Sequence, residues 1–596
     1  MKEFSAVWGR ATLLSVLVLG LMLSITAVPR AQDASLQPKV VGAPLIPQPG
    51  SAGGTLTLGL NNSPGTFHPY RNFAPVPQIA FSALLETNPV TLQYEPALAS
   101  SFDVSSDDRR VTVTLRDGVR WSDGELIDVH DIEFTWVTVL QDVEFVQSLN
   151  NGGAGIFLPD YTFSIIDAQT VEFELTDTSA SLFVVNLTGF PLLPEHVLSG
   201  LSAVDFANAY GITSAPGEII GAGPFRFASI TLDESGESTV VTQVVLERNP
   251  HYFKVDTTFH PLPYFDEVVV TLFPDDGGVL NGRLESGEID LIGGFGAQSA
   301  VDLEALSGVQ VVQAQETVGV SSIMFNEDIA DPDLQSLFRD DAFRLSIAQS
   351  FDRAELLAIQ PDVSQYLSLS ESFVHPDSPF FDAGSNPQIP QDLAHANALL
   401  DNIGIVDTDG DGLREFADGD SVSFVFNVND NNSTRVAAGE RLTEIWRNEL
   451  GLDVEFLAEP FPNLQARFDF GNRTADFEVM LVAFGIGFTT IQDTSYLNCQ
   501  WASSGICHVH RFSDPEGATE RQLRIDEIFS EVIAQGLSLT ERLSLERELQ
   551  QLISGDRGQI PIWRNHINTA LRVDIQNGQS IGLPGQGASL EYLWRE

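Results

Sequence analysis

The sequence predicts an α/β protein of two or three large domains, and three observations predict it. At 596 residues the chain is too long for one hydrophobic core, and its 43% apolar and 9% aromatic content is that of a folded soluble protein. Alternating strand-like runs, such as Leu56, Leu58 and Leu60, recur between helix-like stretches from Gly53 onward. The run EVVVTLF from Glu267 is continuously apolar, as a strand covered on both faces is, and the helix-like GGVLNGRLESGEID follows it.

In chain order, Lys2 and Arg10 precede an apolar run from Ala11 to Val28 that Pro29 and Arg30 end. Residues 1–32 therefore read as an export leader, cut or kept as an anchor. The two cysteines lie at 499 and 507, so none follows the apolar run and a lipid-modified amino terminus is excluded. Residues 33–52 are rich in Pro, Gly, Ala and Gln without periodicity, which reads as a tether. Charge is the outlier: 31 basic against 82 acidic residues give −51, and the lysines are three, Lys2, Lys39 and Lys254. Such a surface repels nucleic acid and anionic lipid. It favours cationic partners, or reflects solubility in a salty habitat.

The strand at Leu56 turns through Asn-Asn-Ser-Pro-Gly. RRVTVTLRDGVRWSDG and TVEFEL alternate likewise, joined by a helical stretch from Asp128 to Leu140 whose Ile132, Trp136 and Leu140 share one face. Further helices run from Asp392 to Ile403, stopped by Gly404, and from Ala437 to Leu450, stopped by Gly451. A capping box, Ser538 to Glu541, opens a helix through Ser554. Trp136 and Trp446 sit on apolar stripes and are expected in the core. From Asp476, Phe477, Val479, Leu481 and Ala483 alternate as a strand that gives way at Gly485 and Gly487. Backbone without side-chain cover is open to an extended ligand adding itself as a strand, or makes a bulge.

Several segments together resemble a known family. They are LRDGVRWSDGELIDVHDIEFTW (Leu115 to Trp136), GAGPFRF with LERNPHYF (Gly221 to Phe253), and LPYFDEVVV…LESGEIDL (Leu262 to Leu291). SIMFN with FRLSIAQSFDR (Ser322 to Arg353) and VDTDGDGLRE (Val406 to Glu415) complete the set. In this order and spacing the chain resembles family 5 of the extracellular solute-binding proteins, the oligopeptide-, dipeptide- and nickel-binding receptors of ABC importers. The resemblance implies a periplasmic-binding-protein-like α/β fold, two lobes with a hinged ligand cleft plus a third smaller domain. By position, lobe I takes 53–88, 210–318 and 561–596, the additional domain 89–209, and lobe II 319–560.

It further implies capture of a peptide or similar small solute by a monomer outside the cytoplasm, periplasmic or at the cell surface, for delivery to permease subunits. Recognition alone is needed, with no nucleophile or general base. The cleft residues implied on lobe II are Phe484, Gly485, Gly487 and Trp501, and on lobe I Thr66, Phe67, Asn72, Phe73 and Ala74, with Phe484, Phe67 and Trp501 as stacking walls. Where peptide receptors carry an aspartate for the ligand's α-amino group, this chain has Thr489, and Asp493 is the nearest candidate acid. Thr489 keeps a non-peptide solute, an oligosaccharide or a metal complex, as the second reading.

Asp407, Asp409 and Asp411 with Gly412, Leu413 and Asp418 reproduce positions 1, 3, 5, 6, 7 and 12 of a calcium loop, where alternating side chains wrap one ion. A structural Ca2+ is expected there, against a solvated acidic turn. Cys499 and Cys507 are expected to form a disulfide in an exported chain; a metal cluster with His508 and His510 is the alternative. Gly578-Gln-Ser580-Ile-Gly582 matches a nucleophile elbow, but Pro584, Gly585 and Gly587 forbid the helix that must follow, so no enzyme is expected.

Overall fold

The computed structural model describes residues 36–596 except 44, 61–63, 72–74, 89–90, 92, 151–157, 177–179, 237–238, 274–278, 296, 328, 377–380, 470–473, 485–518, 535–538 and 582–589. Strand β1 (Lys39–Val41) opens it, and β2 (Thr55–Leu60) follows, with Leu56 and Leu58 buried as the alternation predicts. The described part of 33–52 departs from the tether expectation. β1 pairs in parallel with Lys254–Asp256, and Val41, Leu45 and Ile46 are buried. Composition marks the segment as irregular, but three apolar side chains and a strand edge suffice to dock it.

The additional domain has its own antiparallel sheet, β3 (Ala99–Val104), β4 (Arg110–Leu115), β5 (Tyr161–Ile165) and β6 (Thr170–Leu175), in the order β3-β4-β6-β5. Between β4 and β5, helix α1 (Val129–Glu133) starts at the capping residue Asp128 and continues as a π-helical segment through Phe134–Val139. Trp136 is fully buried there, its ring among those of Tyr161, Phe173, Phe183 and Phe190. The domain shares its core with lobe I: Val111, Trp136 and Phe173 belong to one apolar cluster with Leu56 and Val268.

Lobe I continues through β7 (Phe225–Asp233), β8 (Val240–Arg248), β9 (Lys254–Asp256), β10 (Glu267–Leu272), β11 (Leu291–Phe295) and helix α2 (Ala297–Glu304). The 17-residue β12 (Val309–Phe325) then leaves it. Lobe II holds β13 (Ser423–Asn429), α3 (Ser433–Leu450), β14 (Asp453–Glu459), β15 (Val479–Phe484), α4 (Glu520–Ala534) and α5 (Leu539–Asp556), before the 14-residue β16 (Gln559–Arg572) returns. One sheet runs β14-β13-β15-β12-β16-β11-β2-β10-β8-β7, with Leu367–Leu369 added beside β16. β12 and β16 thus belong to both lobes. Leu571 packs in the lobe I core, while Ile560, Ile562 and Trp563 pack in that of lobe II with Phe426 and Trp446. The boundaries read at 318/319 and 560/561 fall inside these two strands.

A buried charge cluster ties the amino-terminal segment, the additional domain and the carboxyl end together. Lys254 is 3% exposed, and its Nζ lies 2.7 Å from Glu86 Oε2, 3.0 Å from Glu591 Oε1 and 2.8 Å from Tyr592 Oη. Lys39 adds contacts of 2.5 Å to Glu86 and 3.2 Å to Glu95. Burial works to raise the Glu86 carboxyl, but Lys254 and Lys39 outweigh it and hold the group at about 2.

Two outcomes follow from this cluster. Lys254→Met leaves the buried Glu591 and the partly exposed Glu86 without their shared cation and should cost on the order of 3 kcal/mol in urea unfolding. Glu86 is depressed relative to its ordinary value of 4.5, so its contribution is present above that pH and lost as pH falls through about 2. Glu86→Gln should flatten the acid limb of the stability curve over that window; an unchanged limb would remove Glu86 as its source.

Candidate functional site

In lobe II, β13 runs parallel to both β14 and β15, so Asn429, Glu459 and Phe484 end on one edge. In lobe I, β2, β10 and β11 are parallel and end at Leu60, Leu272 and Phe295. Ligands of open α/β sheets bind outside such carboxyl edges. In sequence, residues 485–501, which the family resemblance assigns to the cleft, follow Phe484 at the lobe II edge. β15 is the strand expected, although it is central: Val479, Met480, Leu481 and Val482 are all buried, because β12 and β13 flank it. At its tip Phe484 is in register with Val320. Gly485, Gly487, Thr489, Asp493, Cys499, Trp501, Cys507, His508 and His510 lie outside the described residues, as do Asn72, Phe73 and Ala74.

Thr66 and Phe67 are both placed, and Phe67 is a correction. Its ring is fully buried, 4.9 Å from that of Phe227 in the lobe I core, so it is no stacking wall for a ligand. Local sequence shows an aromatic residue in a loop but not which way the loop turns it. Thr66 fixes the loop, its Oγ1 accepting from His68 N at 3.1 Å and donating to Tyr210 O at 3.3 Å. His68 is buried; burial first and Arg71 second push it down to about 3, so it is neutral.

Between the lobes the ladder of β12 and β16 is irregular. Gln313 pairs with Asn568 and Val320 with Arg564, and the pair between them is Glu316 with His566, with register shifts on either side. Polar side chains gather at this crossing. His566 Nε2 meets Ser368 Oγ at 2.8 Å and its Nδ1 meets Gln313 Oε1 at 3.1 Å, while His375 Nε2 lies 3.5 Å from Glu316. Burial lowers His566, and Glu316 partly opposes that shift. These residues stand far apart in sequence, and no local pattern signals their meeting. Behind His566 stands a neutral amide, not the carboxylate of a hydrolytic triad. The Gly578 motif starts a three-residue 3-10 turn (Gly578–Ser580) after a two-residue strand, not a strand-to-α-helix elbow.

The acidic loop sits at the opposite, amino end of β13, ~20 Å from its carboxyl edge at a strand's rise per residue. Carboxylate oxygens of Asp407, Asp409, Asp411 and Glu415 lie within 4.8 Å of one another. Glu415 takes the place expected of Asp418. The chain bridges back at Val406 to Glu415 and at Glu415 to Ser421, which closes the loop early and leaves Asp418 in the next turn, accepting from Asp420 N. Gly410 and Gly412 turn the loop at φ 85° and 99°. Leu413 N donates to Asp411 Oδ1 at 2.8 Å. Hard carboxylate oxygens at this spacing suit Ca2+.

The carboxyl edge of β13 also carries a polar group that sequence reasoning missed: Asn429, Asn431 and Arg435, with Ser433 donating to Gln298 of α2 at 3.1 Å. The run Asn429-Asp-Asn-Asn-Ser433 directly after a strand was the available signal. Among the described residues no helix is long and apolar enough to cross a membrane.

Comparison with known proteins agrees with this architecture. A Rhizobium meliloti periplasmic alpha-galactoside-binding protein is 28% identical over 367 residues, which are 57% of this chain and 50% of that protein, so the chain matches half the relative's length. The ABC transporter substrate binding protein CtaP of Listeria monocytogenes superposes with a TM-score of 0.71 at 21% identity, over 91% of this chain and 100% of that one. The oligopeptide-binding protein AppA of Bacillus subtilis, solved with a nonapeptide, gives 0.62 at 20% identity, over 92% and 100%. The model of bacterial extracellular solute-binding proteins, family 5, matches residues 93–506, and the chain belongs to that family.

Proposed function

We propose that the protein captures a peptide or similar small solute in the cleft between its lobes, outside the cytoplasm, and delivers it to the permease subunits of an ABC importer. The observation that carries this reading is the crossing of β12 and β16, whose interrupted pairing at Glu316 and His566 gives two separately cored lobes a place to bend. The task is binding without catalysis. Residues 1–32 serve as leader or anchor, and Cys499 and Cys507 form a disulfide, the ordinary state of a cysteine pair in an exported chain.

Peptides come first because the sequence after Phe484, the last residue of β15, carries Gly485 and Gly487, residues without side-chain cover for the backbone that an extended chain pairs with. A neutral oligosaccharide is the second reading; Thr489 stands where an amine-pairing acid is expected, and a relative is named for alpha-galactosides. Calorimetry separates them. If peptides bind through their amine, Asp493→Asn weakens binding at least tenfold, about 1.4 kcal/mol, amino-terminal acetylation does the same, and the two effects do not add. Equal binding of free and acetylated peptides overturns the amine anchor, and binding of raffinose alone overturns the peptide class.

The loop of Asp407, Asp409, Asp411 and Glu415 is proposed to hold a structural Ca2+. Adding calcium to chelator-treated protein should raise the melting temperature, and Asp409→Ala should abolish the rise while leaving solute affinity unchanged. Identical melting curves with calcium and with chelator would sink the idea.

A further inference from the structure

A polar pocket lies in lobe II, away from the carboxyl edges. About 520 Å3 of empty space, its open mouth included, is bounded by the end of α5, the first residues of β16 and the chain that follows Leu367–Leu369. Apolar walls come from Phe373, Ile389 and Ile553, and the charged groups of the lining are Arg353, Glu371 and Arg557. Register sets the pocket back from the cleft. Gln559 and Ile560 pair with Met324 and Ile323, which pair with Met480 and Leu481, so the pocket stands three to four residues from Phe484, ~10–13 Å at a strand's rise.

Arg353 is 6% exposed. Its Nε and Nη1 donate to Pro561 O at 3.0 Å and Ile389 O at 3.1 Å, and among the described residues its Nη2 has no hydrogen-bond partner. Glu371 Oε2 is buried and also lacks one. Burial raises the Glu371 carboxyl and Arg353 opposes the rise, so the two feel each other's charge, yet no ion pair joins them. Elsewhere in the lobe a buried arginine is matched directly, Arg344 by Glu327 and Asp341. Here the gap is held open. The two carbonyls fix Arg353, while Ser370 N donates to Ile562 O at 3.0 Å and Ser372 O accepts from Arg564 Nη2 at 2.8 Å, which pins the backbone on both sides of Glu371. Arg557 adds a second guanidinium, its Nη1 donating to Gly555 O at 2.7 Å and its Nε buried without a partner. Buried charged groups held apart and unmet are a standing cost to the protein, offset when a molecule bridges them.

Such a molecule needs an anionic group for the guanidinium side and a donor for Glu371. A carboxylate fits the planar edge of an arginine. An ammonium fits Glu371, and the carboxyl end of α5, where a helix carries negative potential, borders the same space. The apolar walls suit a short aliphatic side chain. We propose that this pocket is a second binding site, separate from the cleft, that takes a small zwitterion, an α-amino acid, with its carboxylate on Arg353 and its ammonium on Glu371. The site goes beyond solute capture and does not depend on what the cleft holds.

The test uses the full-length protein, with L-alanine, propionate and ethylamine as calorimetric probes, with and without tetra-alanine. Wild type should bind L-alanine about tenfold or more tightly than propionate or ethylamine, each of which lacks one half of the charged contact. Glu371→Gln should bring L-alanine to the level of propionate and leave tetra-alanine binding unchanged. Ligand-free Glu371→Gln should melt at the same temperature as wild type or higher, because its carboxyl has no ion pair to lose; a lower melting temperature, or failure to fold, makes Glu371 structural and the site falls. The comparison of probes on wild type decides without any variant: equal binding of L-alanine and propionate overturns the zwitterion. L-Alanine binding that tetra-alanine displaces, or that Glu371→Gln leaves untouched, lies elsewhere and overturns the site. No L-alanine binding overturns it too, and says nothing against the cleft. L-Alanine binding with tetra-alanine silent supports the site and counts against the peptide reading alone.

Discussion

The passage of β12 and β16 through both lobes is the constraint on which the rest of the structure depends. A strand inside a sheet is held by hydrogen bonds on both sides, and a continuous ladder resists bending. Here the ladder is unbroken from Val309 with Arg572 to Gln313 with Asn568, is interrupted around Glu316, and shifts register once more between Ser321 and Ser322 before it ends at Met324 with Gln559. Each lobe's carboxyl edge is fixed to its own core, and the irregular middle is where the shared ladder resists bending least. The side chains around the break, Gln313, Glu316, His375 and His566, are polar. Polar pairs can exchange partners as the lobes move, whereas an interdigitated apolar core has few intermediate arrangements.

Charge is organised by the same architecture. A chain at −51 cannot lower its self-repulsion by abundance of cations, so it places them where geometry gives most. Both lysines beyond the leader enter the Glu86 and Glu591 cluster, where a compact ammonium with three donors fits between carboxylates and a phenol. The cluster joins β1, β9 and the carboxyl end, three segments distant in sequence. It also explains why residues 39–41 are docked: the tether reading weighed composition, whereas Lys39 and Val41 act through partners more than 40 residues away.

Much of the fold was legible because its signals are local. The strands at Thr55–Leu60 and Glu267–Leu272, the helix that Gly451 ends in a left-handed turn at φ 66°, and the burial of Trp136 and Trp446 all follow from periodicity and caps. Less of the site was legible, because its residues matter through contacts at long range. Phe67 faces inward because Phe227 waits there; Glu415 supplants Asp418 because a bridge to Ser421 shortens the loop. Arg435 reads in sequence as an ordinary helix arginine, and its contact with Asn429 Oδ1 is a property of the folded edge alone.

The two polar features at the ends of β13 show how one strand separates two tasks. At its amino end four carboxylates converge, which suits a cation and repels any anion; at its carboxyl edge a buried guanidinium stands without one. Screening limits the reach of each: at physiological ionic strength the Debye length is about 8 Å, well short of the ~20 Å between them. The net charge of the chain therefore governs encounter, slowing an anionic solute at low salt. A desolvated contact at the carboxyl edge is set instead by the few groups within reach of it, not by the charge of the whole surface.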